Sequence, residues 1–109
     1  MSINGRAVKR NSTNKALKIA KDRAWSMAVR QRDGKCQWCG RKDMLQADHI
    51  FSRRMNSTRW NIDNGITLCR GCHIFKKKYE PMEWGLIVIE KLSLTKIKRL
   101  QKLHVATVT

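Results

Sequence analysis

Acidic residues are scarce in this sequence: 8 Asp and Glu stand against 24 Lys and Arg over 109 residues, a formal net charge of +16. The excess is spread along the chain, the electrostatic footprint of a polyanion binder. It indicates a partner and leaves the chemistry open. Long apolar runs are absent too. The longest, Leu86 to Ile89, is far short of the roughly 20 residues a membrane helix needs, and the basic, polar N-terminus has no apolar segment of the secretory kind. A cytoplasmic protein with no membrane partner is expected. Apart from two short cysteine turns there is no internal repeat.

The chain falls in the range of a single domain. Residues 1–14 carry Arg6, Lys9 and Arg10 among Ser, Asn, Thr and Gly without hydrophobic periodicity, and are expected to form a flexible basic arm. Residues 15–109 are expected to fold as one domain with its core motif at 36–79. A core of that size is marginal, so a covalent or metal staple would help it.

Leu17, Ala20, Ala24, Met27 and Ala28 recur at three- and four-residue spacing, which predicts an amphipathic helix from Lys15 to Arg32, stopped by Gly34. Its Lys15, Lys18, Lys21, Arg23 and Arg30 suit either a DNA-facing stripe or a solvated surface. The middle reads as a turn at Cys36 to Gly40, an extended run at Leu45 to Ile50, a polar loop from Phe51 to Asp63, a strand at Ile66 to Leu68, a second turn at Cys69 to Cys72, and a helix starting at His73. After Pro81, Met82 to Leu92 leans towards helix. Ser93 is placed to cap a last basic helix with Leu94, Ile97, Leu100 and Leu103 on or near one face.

There are only four cysteines, as Cys36-Gln37-Trp38-Cys39 and Cys69-Arg70-Gly71-Cys72. In a reducing compartment such pairs read as metal ligands before disulfides. A two-residue spacer lets two thiolates converge on one ion, and two such knuckles give a tetrahedral zinc site. Gly40 and Gly71 are expected to supply the positive φ such turns often need. A four-sulfur site has no open position for water, so this zinc is expected to be structural. A redox pair and a catalytic zinc are the alternatives.

Between the knuckles lie Leu45-Gln46-Ala47-Asp48-His49-Ile50 and Asn64-Gly65-Ile66-Thr67-Leu68-Cys69, followed by Cys72-His73. Phosphodiester cleavage needs a nucleophilic water, a cation to neutralise developing charge, and a base titrating near neutrality. His49 suits the base. Asp48 and His73 offer oxygen and nitrogen to a divalent cation such as Mg, Mn, Ni or Zn. Neighbours on a strand point to opposite sides, so Asp48 can face the cation while His49 stands across from it. Each feature alone is weak: an Asp-His pair is common, and Asn64-Gly65 reads first as a turn.

Together they resemble the HNH endonuclease family, whose pattern is an Asp-His pair on a strand, an Asn five residues before the third Cys, and a His directly after the fourth. The likeness covers roughly Cys36 to Lys77 and includes His49, Asn64 and His73. The basic arms and Pro81 to Trp84 are more loosely similar to small phage nucleases of this family. Gly65 departs from the pattern, since many members carry an apolar residue there. The resemblance implies an α+β, mainly helical fold: a ββα-metal finger stapled by a four-cysteine zinc site, with flanking N- and C-terminal helices. It implies that Asp48 and His73 bind one catalytic cation and that His49 activates water. Asn64 would fix the loop and the orientation of His49, though in some relatives this Asn reaches the metal. DNA, duplex or branched, would be the partner, with no small-molecule substrate and with monomer or homodimer undecided.

Lys76 and Lys77, three and four residues beyond His73, are expected to meet phosphates. Arg53, Arg54 and Arg59 are expected to track the backbone from the loop, beside Trp60. Trp25, Trp38 and Trp84 read as core or knuckle packing, and His104 receives no role. The rival reading is a zinc-stapled nucleic-acid-binding module without catalysis. A protein-interaction domain of the RING or LIM kind would need more cysteines and less charge.

Overall fold

The computed structural model describes the backbone of residues 2–106 and the side chains of residues 13–105. The elements run α1 (Ser2–Asp33), β1 (Leu45–His49), α2 (Asn56–Arg59), a 3-10 turn (Ile62–Asn64), β2 (Gly65–Cys69), a π-helical stretch (Cys72–Lys76) continuing into α3 (Lys77–Tyr79), then α4 (Pro81–Leu92) and α5 (Leu94–Ala106). The arm expected to be flexible over residues 1–14 instead has a helical backbone from Ser2, as the first part of α1, so this helix begins well before the expected Lys15; its side chains before Thr13 lie outside those described. No helix among the described residues is long and apolar enough to cross a membrane.

The centre is a two-stranded antiparallel ribbon in which Asp48 faces Ile66 and His49 faces Gly65. A ribbon this short is marginal unless both faces are covered. Every residue of β2 is buried. The face carrying Asp48, Ile66 and Leu68 turns towards the cysteine cluster and α4, where Trp38, Trp84 and Ile87 close over it. The other face, with His49, Gly65 and Thr67, lies under α1. Its edge is sealed by polar groups: Asp33 accepts from the Thr67 amide at 2.9 Å, and the Thr67 hydroxyl donates to the Val29 carbonyl at 3.2 Å.

Helix α1 ends where expected, with Gly34 at φ +72° and its amide on the Arg30 carbonyl at 2.8 Å. The buried stripe, however, is not the predicted one. Leu17 and Met27 are 54% and 48% exposed, while Trp25 and Val29 are 5% and 0% exposed. Only the C-terminal half of α1 has the ribbon beneath it, and the close approach is set by Gly65. A Cβ there would stand 2.5 Å from Val29 Cγ2 and 2.7 Å from Trp25 Cζ2. Gly65, a departure from the family pattern, is therefore what lets the helix seat.

Gly71 also differs from expectation. Gly40 has φ +82°, whereas Gly71 is right-handed at φ −63°, because the second knuckle runs straight into a helix. The loop from Phe51 to Asp63 is more ordered than its polarity suggested, containing α2 and the 3-10 turn. Pro81 sits in the first turn of α4, where its missing N–H costs nothing. Ser93 joins α4 to α5, its hydroxyl 3.5 Å from the Lys96 amide. In α5 the inward line is Ile97, Leu100 and His104, with Leu94 and Leu103 mostly outside.

The two glycines make a paired test by thermal melting. Gly65→Ala is expected to lower stability by about 1–3 kcal/mol through overpacking. Gly71→Ala has nothing within 4 Å of the added carbon and is expected to be neutral or stabilising by up to ~1 kcal/mol through helix propensity.

Candidate active site and cysteine cluster

The four Sγ atoms of Cys36, Cys39, Cys69 and Cys72 lie within 4.8 Å of one another, with Cys39 and Cys69 at 3.6 Å. Metal–sulfur bonds of roughly 2.3 Å set a tetrahedral edge of about 3.8 Å, so this donor set fits an ion at its centre. The amides of Cys39 and Cys72 point at the sulfurs of Cys36 and Cys69, each at 3.5 Å. Burial opposes ionisation of Cys36, but the N–H groups around it outweigh that and bring its thiol down to about 6. Burial and the neighbouring sulfurs push Cys72 up. A divalent cation removes that conflict by favouring thiolate at every ligand.

On the inner face of β1, Asp48 is 8% exposed. Its Oδ1 lies 3.4 Å from His73 Nδ1, and its Oδ2 accepts from Lys77 Nζ at 2.6 Å. Both partners come from the helix after the second knuckle, where the Lys77 amide bonds to the Cys72 carbonyl in the wide i→i+5 pattern. His73 Nδ1 is buried with no hydrogen-bond partner, and it is the one such side-chain atom among the described residues. An imidazole nitrogen without a hydrogen bond, 3.4 Å from a buried carboxylate, is a donor pair that could hold a cation.

His49 occupies the opposite face. Its Nε2 lies 2.8 Å from the Arg59 carbonyl, which can only accept, so Nε2 carries the proton and Nδ1 keeps the lone pair. Its ring stacks on Trp25, centroids 3.8 Å apart and planes at 9°. Burial lowers its pKa below the usual histidine value, against the opposing pull of the Arg59 carbonyl and the Asp48 charge. The imidazole is neutral at pH 7.

Asn64 is fully buried and spends both ends of its amide on the loop. Its Oδ1 accepts from the Phe51 amide at 2.7 Å, and its Nδ2 donates to the carbonyls of Phe51 and Thr58, each at 3.0 Å. These bonds pin the segment that ends in the Arg59 carbonyl holding His49. The Asn64 side chain is thus turned towards the loop and not towards Asp48.

Arg53 and Arg54 are exposed on that loop, and the positive charge of Arg53 reaches His49. Arg59, expected to meet phosphate, is paired within the protein here. Its guanidinium holds Asp22 through two bonds, 2.9 and 2.6 Å long, and is largely covered. Trp60 Nε1 donates to the same carboxylate at 2.9 Å. Lys77 neutralises Asp48, and Lys76 lies over the Trp38 ring at 5.2 Å. Trp38 is knuckle packing, stacked on Trp84. His104, unassigned from sequence, supports the loop beside Phe51 and Thr58. Asp22 and Trp25 are the site-lining residues that sequence reasoning missed. Only their three-residue spacing on one helix face hinted at a shared partner.

Two strands, the following helix and the cysteine cluster make a ββα-metal arrangement in a mainly helical α+β chain. Residues 36–78, under half of the chain, match the family model for HNH endonuclease, a likeness that supports nuclease activity and metal binding. No curated protein and no solved structure matches the chain.

Asn64→Ala strands the Phe51 amide and two carbonyls in the interior. It is expected to cost at least ~2 kcal/mol in denaturant unfolding, given about 1–3 kcal/mol for each buried polar group left unsatisfied.

Proposed function

We propose that the protein is a metal-dependent HNH endonuclease that hydrolyses DNA phosphodiester bonds with one catalytic divalent cation and His49 as general base. One observation carries the reading. A buried carboxylate and an unpartnered imidazole nitrogen meet on one face of β1, while the adjacent residue presents a neutral, oriented imidazole on the other.

Asp48 and His73 would hold the cation, Mg, Mn, Ni or Zn, which when bound supplies Lewis-acid neutralisation of the phosphate and leaving oxygen. His49 Nδ1 takes a proton from the attacking water, and the Arg59 carbonyl stabilises the imidazolium that results. Asn64 keeps that carbonyl in place. Lys77, which pairs with Asp48 here, would be free to meet phosphate with a cation held at Asp48. Arg53, Arg54 and Lys76 bind flanking phosphates, contacts that position DNA without reading sequence. The cysteine cluster holds a structural zinc, its soft four-sulfur set being distinct from the hard oxygen and nitrogen of the catalytic pair. Residues 15–109 act as one domain, with the N-terminal part of α1 as a basic arm.

Supercoiled plasmid is expected to be nicked or linearised with Mg, Mn or Ni, and cleavage to stop with EDTA. His49→Ala is expected to lower the rate by about 10²–10⁴-fold, the usual contribution of a general base, while keeping zinc and DNA affinity. A zinc-loaded protein that binds DNA but cuts neither plasmid nor branched DNA with any of these cations would be a binding module instead. Elemental analysis is expected to find one tightly held zinc per chain. Stripping it should unfold the domain by circular dichroism, since the binding free energy of roughly 10 kcal/mol or more rivals the stability of a small domain.

A further inference from the structure

Helix α1 lies outside residues 36–78, yet it governs the surroundings of His49 at two points. A hydrogen bond from Nε2 leaves an imidazole free to rotate about the N···O line. A stacked partner fixes the ring plane but leaves its direction open. His49 has both constraints: the Arg59 carbonyl at 2.8 Å and the indole of Trp25 with centroids 3.8 Å away.

Each constraint is anchored in turn by α1. Trp25 is 5% exposed, and its Nε1 donates to the Asn61 carbonyl at 2.8 Å. One helical turn earlier, Asp22 grips the Arg59 guanidinium through two bonds. The space for the indole exists because position 65, paired with His49 across the ribbon, has no side chain: a Cβ there would be 2.7 Å from the Trp25 ring.

We infer that Trp25 and Asp22 form a positioning device for His49, so that the N-terminal helix supplies the wall that aims the base while the finger supplies the cation ligands. The inference rests on the reading of His49 as general base. Proton abstraction requires the lone pair within hydrogen-bond reach of the water and aimed at it, and a flat ring is what holds that aim. Were Trp25 only core packing, any apolar side chain of adequate size would serve.

The test uses the full zinc-loaded chain on supercoiled plasmid, with kcat, KM and zinc content measured for wild type, Trp25→Phe, Trp25→Leu and His49→Ala. Trp25→Leu is expected to lose about 30-fold or more in kcat, with KM within about twofold and zinc retained, as for misaligned groups that still bind substrate. Trp25→Phe, which keeps a flat ring, is expected to recover at least ~10-fold of that loss. Equal kcat for Phe and Leu overturns the inference. An inactive His49→Ala beside a fully active Trp25→Leu overturns it while leaving the base assignment standing, whereas an active His49→Ala removes the base assignment itself. Should Trp25→Leu fail to fold, Asp22→Asn decides: a several-fold fall in kcat at constant KM supports the device, and an unchanged kcat overturns it.

Discussion

Two strands of five residues do not make a stable sheet alone. What holds this ribbon is the convergence of four sulfurs at one end, which ties the segment before β1 to the end of β2 and the turn that follows it. With the ends tied, the register is set, and the two-residue period of a strand does the rest. Asp48 must face one side and His49 the other.

That opposition dictates the architecture around it. Each face of the ribbon needs its own cover, so the π-helical stretch, α3 and α4 close over the Asp48 side and α1 over the His49 side. The covers are also the sources of the site. The helix after the second knuckle brings His73 and Lys77 to the carboxylate, and α1 brings Trp25 to the imidazole. Buried polar groups are unusually numerous for so small a core: Asp48, Thr58, Asn64 and Thr67 are all buried. Thr58, Asn64 and Thr67 are bonded to backbone of a neighbouring segment or to a side chain of α5, so the loop and the helices are joined by hydrogen bonds where apolar area is short.

Two donor sets of different character sit close together in this fold without competing. Sulfur favours a soft or borderline ion and fills all four positions of a tetrahedron, which leaves no place for a reacting water. The carboxylate and imidazole on the other side of the knuckle form a harder, incomplete set. An ion at the four sulfurs would hold the domain without taking part in any chemistry at Asp48 and His73.

Features governed by local periodicity and spacing were legible in the sequence: the paired knuckles, the strands about Asp48 and Ile66, the stop at Gly34, the helix after Pro81, and the opposition of Asp48 and His49. The features that depended on what lies across the fold were not. The apolar spacing from Leu17 to Ala28 foretold a helix but named the wrong stripe, because the buried one is chosen by where the ribbon lies under α1 and how near Gly65 allows it. Arg59 reads in sequence as one more cation in a basic loop. Only the arrival of Asp22, far away in the chain, turns its guanidinium inward and leaves its carbonyl to hold His49. The sequence alone determined which donors exist and in what order, since ligand spacing and strand alternation are properties of neighbouring residues. Tertiary structure decided which groups meet and which way they point, since contacts between distant segments depend on packing that no local pattern encodes.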